Sequence, residues 1–452
     1  MGTESKLRPG YHNLLRREIL ELVPTTARRI LDLGCGTGAL GKALKERQRC
    51  YVHGIELNKE AAEQATKSLD LVVCDNLNRY DPTRANYRYD CIIFADILEH
   101  LISPWSVLQK FSSVLSEGGT IIASIPNMAH PWVISQLQKG LFRYEPSGLL
   151  DITHLRFFTK TTIFQMFYRA GLKITNLRAH PSGTNPIQYH VTAMRPLPVK
   201  EKPVCTILIL TCNAWAYTKK CLDSIKAKTR APYKILVIDN NSTDDTVEKL
   251  REDAALYHIE NSENLGFAAG FNVGLPLVDT PYFVICNSDI VVTHGWLCNL
   301  LNHIQSDDKV LCLGPMSNYV SGPQLIADVP YTDDETLKTF AKEIAKRETK
   351  QLTAQRRVVF FCTLFKTSVI YSVGLLDEIF KLGNFEDDDY CLRINIAGFK
   401  AAIDETVFIH HYGSKSFAEN KIDYAKIMEE NKQKFMKKWE GVDIHHQAKI
   451  VE

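Results

Sequence analysis

Short apolar runs alternate with amphipathic helical stretches along most of the chain, the pattern of an α/β protein. In the first half RRILDL (28–33), YVHGIEL (51–57), DLVVCD (70–75), YDCIIFA (89–95) and LSEGGTIIASIPN (115–127) read as strands. A second series opens with VCTILILT at 204–211 and continues with KILVID (234–239) and PYFVICN (281–287). Between them lies RPLPVKEKPV, 195–204, whose three prolines and alternating charges interrupt both periodicities. We therefore expect two α/β domains, 1–197 and 203–452. Each is long enough to own a core.

Composition narrows the class. With 45% hydrophobic and 23% charged residues in 452, the chain is an ordinary globular protein. A net charge of +2 makes no global field, so nucleic acid is not expected as a partner. No apolar run approaches the ~18 residues of a membrane span, and residues 1–20 lack the apolar centre of a secretory leader. Twelve cysteines are scattered without a C-x-x-C pair, some inside apolar runs (Cys91, Cys286). That usage suits reduced thiols in a cytoplasmic protein, with disulfides or zinc as the alternative.

The first candidate site is RRILDLGCGTGALGKAL, 28–44, where a strand runs into Gly34, Gly36 and Gly38 and then into a helix from about Ala39. Glycines there let the backbone turn sharply and approach a ligand without a Cβ in the way. Glu56 closes the second strand, where it suits the hydroxyls of a ribose. Asp75 closes the third, facing an adenine edge, and Asp96, Glu99 and His100 follow the fourth. Ligands in such sheets bind beyond the carboxyl ends of the strands. Over about residues 10–195 the chain resembles the class I S-adenosylmethionine-dependent methyltransferases, on LDLGCGTG, the strand-end acids and the 115–127 strand. The resemblance implies a Rossmann-like fold with Asp32, Gly34 and Gly36 around the methionine part, Glu56 at the ribose, Asp75 at the adenine and Asp96 in the same cofactor site. A nicotinamide-binding unit is the alternative. LDLGCGTG departs from its G-x-G-x-x-G spacing, and Asp32 suits an ammonium group. Downstream, GLLDITHLRFFT holds Asp151, His154 and Arg156 and resembles a segment of some sugar-modifying methyltransferases. His154 is the candidate base for a hydroxyl acceptor, or else a histidine bonded to backbone. His100 is expected to orient its loop.

The second half carries different chemistry. Asp239, at a strand end, suits a nucleobase or ribose, and Ser242, Thr243 and Asp244 suit the cap of the following helix. NLGFAAGFNVGL, 264–275, is a glycine-rich turn entering a helix. Asn287 and Asp289 close another strand, and Asp289 suits a divalent cation on a diphosphate. These pieces, followed by FEDDDYCLR (385–393) and HHYGSKSF (410–417), resemble the family-2 glycosyltransferases of GT-A fold, rhamnosyltransferase-like, over about 204–420. The resemblance implies a nucleotide-diphosphate sugar held by Thr211, Asn213, Asp239, Asn241, Asn264, Gly266, Phe267, Asn287 and Asp289. It also implies manganese or magnesium held by Asp289 with His410 or His411. The family's Asp-x-Asp is here Asn287-Ser288-Asp289, one acid short.

Within FEDDDYCLR the resemblance assigns Glu386 and Asp387 to the acceptor, with Asp387 as catalytic base. Asp388 and Asp389 read as helix-start acids, Asp389 pairing with Arg393 four residues on, in a helix that ends near Ala397 before Gly398. Residues 333–356 read as a solvated charged helix. Residues 421–441 read as a basic amphipathic helix packed on its domain, with peripheral membrane association as the alternative.

Joined, these readings make a bifunctional enzyme: methyl transfer and inverting glycosyl transfer onto a glycan or glycoprotein, such as a surface polysaccharide or flagellin. One rival keeps glycosyl transfer alone, with the first domain a structural S-adenosylmethionine-binding module. Another is a non-catalytic carbohydrate-binding scaffold. The intact strand-end and helix-start acids argue against both.

Overall fold

A computed structural model describes residues 15–196, 201–348, 352–413 and 424–442. Part of the expected seam (197–200), of the charged stretch (349–351) and of the HHYGSKSF tail (414–417) lies outside the described residues. Two compact units divide the chain, Met1–Leu197 and Pro198–Glu452.

In the first unit the apolar runs become strands β1 (Arg29–Leu33), β2 (Tyr51–Glu56), β3 (Leu71–Cys74), β4 (Tyr89–Ala95) and β5 (Leu115–Pro126). Strands β6 (Lys173–His180) and β7 (Gln188–Met194) complete a sheet of order β3-β2-β1-β4-β5-β7-β6. The first five are mutually parallel, and β7 runs antiparallel to both β5 and β6. Strand order reverses between β1 and β4, which opens a crevice beyond their carboxyl ends. Apolar residues such as Ile30, Leu44, Val52, Ile93 and Ile122 are wholly buried beneath it.

The second unit holds β8 (Cys205–Thr211), β9 (Tyr233–Asp239), β10 (Tyr257–Glu260), β11 (Tyr282–Asn287), β12 (Ile290–Val291), β13 (Val310–Ser317), β14 (Cys362–Lys366) and β15 (Lys400–His411). Their order is β10-β9-β8-β11-β14-β13-β15-β12. The β8, β9, β10 and β11 strands are parallel, and β14 joins β11 antiparallel. The two-residue β12 pairs antiparallel with β15, setting Ile290 opposite His411 and Val291 opposite His410.

Two helices differ from the sequence reading. The charged stretch forms a helix only over Asp334–Ile344, capped by Asp333 and Thr336 in a reciprocal box. Its buried stripe is Leu337, Ala341 and Ile344. The helix Thr246–Glu252 is not capped by Ser242 or Thr243; Asp244 accepts from the Thr246 N–H at 3.1 Å instead.

The acidic run begins the helix Glu386–Ile396, which ends at Ala397 with Gly398 left-handed. Asp389 is fully buried and pairs with Arg393 at 2.9 Å, as the spacing predicts. Its other oxygen accepts from Trp439 at 3.0 Å and lies 2.6 Å from Lys438. Both donors belong to the C-terminal end of the chain, where the helix Tyr424–Lys438 packs on the domain. From that helix, buried Asn431 donates to the carbonyls of Phe380 and Gly383 at 2.6 Å each, and Phe435 sits 5.5 Å from the Phe385 ring. Asp389→Ala removes the acceptor for three donors, and a hydrogen bond to a charged group is worth about 1.5–3 kcal/mol. Urea unfolding should show a loss of at least that size; a loss within ~0.5 kcal/mol would mean the contacts are incidental.

Candidate functional site

In the first unit the turn after β1 brings the glycine loop under the crevice. Gly34 has φ +70°, and a Cβ there would lie 2.1 Å from Ile97 Cδ1, so the position admits no side chain without displacing that neighbour. Asp32 is 2% exposed, and its Oδ2 has no hydrogen-bond partner among the described residues. Burial, then the nearby Glu56, raises its pKa to about 7. Glu56 accepts from the Gly36 N–H at 2.9 Å and the Asn58 N–H at 2.8 Å, which leaves its remaining lone pairs for a ligand. Asp75 is exposed at the end of β3 and accepts from the Asn76 N–H. Asp96, left-handed at φ +53°, accepts from the Ser124 hydroxyl at 2.6 Å and forms an ion pair with Arg16. An orphaned buried carboxylate beside a glycine cradle fits the ammonium end of S-adenosylmethionine.

Past β4, Glu99 is 1% exposed and neither carboxylate oxygen has a partner among the described residues. Burial raises its pKa to about 8. His100 and His154 face it, their rings 4.8 Å apart. His154 Nδ1 lies 3.2 Å from the Leu149 carbonyl and His100 Nδ1 lies 3.1 Å from that of Thr153. Burial lowers the pKa of both rings. Asp151 instead holds Thr153, and Arg156 donates to the Ile102 carbonyl.

In the second unit one cavity of about 850 Å³ opens at the carboxyl ends of β8, β9 and β11. Thr211, Asn264, Gly266, Phe267, Asn287 and Asp289 line it, as expected. A Cβ on Gly266 would lie 2.0 Å from the Lys381 carbonyl oxygen, which explains the glycine. Three expected residues lie outside that wall. Asn213 instead joins two loops, donating to Ser242 Oγ at 2.7 Å while accepting from the Thr243 N–H at 2.7 Å. Asp239 accepts from the Ser242 N–H. Asn241 is exposed and left-handed, and its neighbour Asn240 turns inward in its place. Asn240 is 2% exposed and donates to the Gly266 carbonyl at 2.9 Å.

Alternation along β15 separates the two candidate histidines. His410 turns away from the cavity to the Tyr331 hydroxyl at 2.8 Å, whereas His411 lines it and sets Nε2 3.1 Å from Asp289 Oδ1. His411 Nδ1 donates to the Tyr319 carbonyl at 2.7 Å, so its Nε2 would turn a lone pair on the carboxylate. Such a contact is stable only with a shared cation, either a proton or a metal, and the donor set suits manganese or magnesium less one acid.

Glu386 and Asp387, 6% and 9% exposed, line the same cavity. Burial raises the Asp387 pKa to about 7, with Asp388 adding to it and Arg357 opposing it. Burial and Asp387 push Glu386 well above the usual carboxylate range, and its Oε2 is unpartnered among the described residues. Asp388 lines the cavity too, 3.4 Å from Arg357, so it is more than a helix-start acid. Neither Arg357 nor Asn240 carried a signal of its own in the sequence.

Residues 7–177 match the family model of a methyltransferase domain, and residues 206–372 match that of glycosyl transferase family 2. The chain joins a methyltransferase domain to a family-2 glycosyltransferase domain. The glycosyltransferase domain is similar to an uncharacterized glycosyltransferase of Haemophilus influenzae, 28% identical over 116 residues, or 25% of this chain and 36% of that protein. The methyltransferase domain is similar to the ubiquinone biosynthesis O-methyltransferase of Aeromonas salmonicida, 27% identical over 158 residues, or 33% of this chain and 65% of that protein. The chain thus spans about a third and just under two thirds of these relatives' own lengths. Among solved structures, GalNAc-T7 with UDP, GalNAc and Mn2+ matches 56% of this chain and 54% of its own at a TM-score of 0.39 and 15% identity. Among the described residues no helix is long and apolar enough to cross a membrane.

Asp32 gives the methyltransferase domain a pH signature. Its pKa rises from 3.8 to about 7 on folding, so the folded chain keeps a proton that the unfolded chain has lost. The stability this group contributes is full below pH ~4 and is lost as pH rises through ~7. Asp32→Asn cannot titrate. The unfolding free energy of wild type relative to Asp32→Asn should therefore fall between pH 5 and pH 8; a difference constant with pH would refute the assignment.

Proposed function

We propose that the chain is a bifunctional transferase, moving a methyl group from S-adenosylmethionine and, by inversion, a sugar from a nucleotide-diphosphate donor. The observation that carries the reading is the glycosyltransferase cavity, which is lined by both Asp289–His411 and Glu386–Asp387. A cation site and a base in one cavity are what a single displacement needs. Asp289 and His411 would hold a divalent cation, which when bound would neutralise charge on the departing diphosphate. Asp387 takes the acceptor hydroxyl's proton, the acceptor oxygen bonds to the anomeric carbon, and the bond from that carbon to phosphate breaks. Burial favours the protonated form of Glu386, which suits it to donate a hydrogen bond rather than to compete for that proton. Arg357 holds Asp388 and offsets the negative charge gathered at the helix start.

In the methyltransferase domain, S-adenosylmethionine supplies an electrophilic methyl on sulfur. Asp32 would hold its ammonium group, Glu56 its ribose and Asp75 its adenine. Ser124 and Arg16 fix Asp96 at the crevice mouth. The acceptor hydroxyl passes its proton to solvent water beside the Glu99, His100 and His154 cluster, and its oxygen takes the methyl as the carbon–sulfur bond breaks. Two transferases on one chain suit a single acceptor that receives both groups, a glycan or glycoprotein such as a surface polysaccharide or flagellin, in the cytoplasm before export.

Asp387→Asn should lower glycosyl transfer by ~10²–10⁴ while leaving donor affinity within about twofold. The wild-type rate should rise with pH through about 7, as Asp387 ionises. Initial rates and donor titrations of both proteins check this, and a rate that is flat between pH 5.5 and 8 would exclude Asp387 as the base.

The donor of the methyl group is tested by calorimetry on the full chain, where micromolar binding of S-adenosylmethionine should be lost in Asp32→Ala. Equal heats from the two proteins would remove the ammonium contact.

A further inference from the structure

We propose that Glu99, His100 and His154 form a divalent metal site in the methyltransferase domain, separate from the cation expected at Asp289 and His411. Their ligand atoms all lie within 4.8 Å of one another. Three ligands bonded at about 2.0–2.2 Å around one tetrahedral ion sit ~3.4 Å apart, so the most widely spaced pair draws together by about 1 Å or a little more on binding.

Three observations point to a ligand rather than to packing. Glu99 is 1% exposed, yet both of its carboxylate oxygens lack a partner among the described residues. An isolated buried carboxylate is costly unless it is protonated, paired or bound to a metal. Each histidine also donates Nδ1–H to a carbonyl, His100 to Thr153 and His154 to Leu149, because a carbonyl oxygen can only accept. That fixes the tautomer and leaves the lone pair on Nε2, as the outer partners of metal-bound histidines do. Finally, the Leu155 and Arg156 N–H groups donate to the Glu99 carbonyl at 2.8 and 3.0 Å, tying the segment that carries His154 to the one that carries Glu99 and His100.

Two imidazole nitrogens and one carboxylate suit zinc, cobalt or manganese better than calcium or magnesium. Three protein ligands leave a coordination position open, the arrangement of a catalytic ion. An acceptor hydroxyl in that position would release its proton to solvent water near neutral pH. His154 then acts on the acceptor through the ion and is not itself the base, a role that rests on the methyl-transfer reading; the metal site does not.

The test strips the full-length protein with chelator and titrates it with zinc sulfate, following heat and bound zinc, and then with cobalt to read its absorption bands. Wild type should bind one zinc that Asp289→Asn retains, whereas Glu99→Gln and His100→Gln should each bind it at least ~10-fold more weakly. Two separate variants cover the case in which one fails to fold, and thermal melting identifies it. Equal zinc affinity in wild type and in either folded variant, or no zinc bound by a wild type that still binds S-adenosylmethionine, would overturn the site. Zinc binding without S-adenosylmethionine binding would instead sink the methyl-transfer reading and leave the metal site standing.

Discussion

Burying a carboxylate without a counter-charge is unfavourable, and this chain does so repeatedly where its strands and loops end. Asp32, Glu99 and Glu386 are each nearly inaccessible and each keeps an oxygen without a partner among the described residues. Asp387 stands beside Glu386 with its pKa raised to about 7. A protein interior normally answers such a group with a hydrogen bond or an ion pair. The same chain does so at Asp389, where Arg393 and Trp439 satisfy the acid that sits only two residues beyond Asp387. The contrast within one helical turn separates an acid that holds the fold from acids that line the cavity.

The backbone around these acids is held in an uncommon conformation. Asp96, Asn213, Ala214, Asn241, Lys381, Asn384 and Phe385 all have positive φ without being glycine. Such residues cost of order 1–3 kcal/mol each and persist only when the surroundings over-determine them. Asn384 and Phe385 lead directly into the acidic helix, and Asn431 and Phe435 hold the loop from behind. Around Asn213, side-chain bonds to the 242–244 loop play the same part.

Much of this was legible in the sequence, because the residue types that end a strand or open a loop are local. The glycine loop, Asp32, Glu56, Asp289 and the Glu386–Asp387 pair are all found at the carboxyl ends of strands or in a first helical turn. Which of two neighbours faces inward was not legible. His410 and His411 are chemically equal as letters; the two-residue pairing of β12 with β15 decides between them. Asn240 and Asn241 divide in the same way, through the left-handed turn after β9. Arg357 and Arg16 reach their acids across 31 and 80 residues of sequence, and no local period reports such a contact.

The C-terminal helix has a consequence for how the chain is made. The loop that sets Glu386 and Asp387 is fixed by Asn431, and the helix behind them by Trp439 and Lys438. A ribosome adds about 5–20 residues per second, and domains form in order from the N-terminus. The crevice around Asp32 is therefore complete while most of the second half is still unmade. The acidic helix, though synthesised, waits several seconds more for its support. During synthesis the chain passes through a stage in which its first half is finished and its second half is not. Its first site would be assembled well before its second.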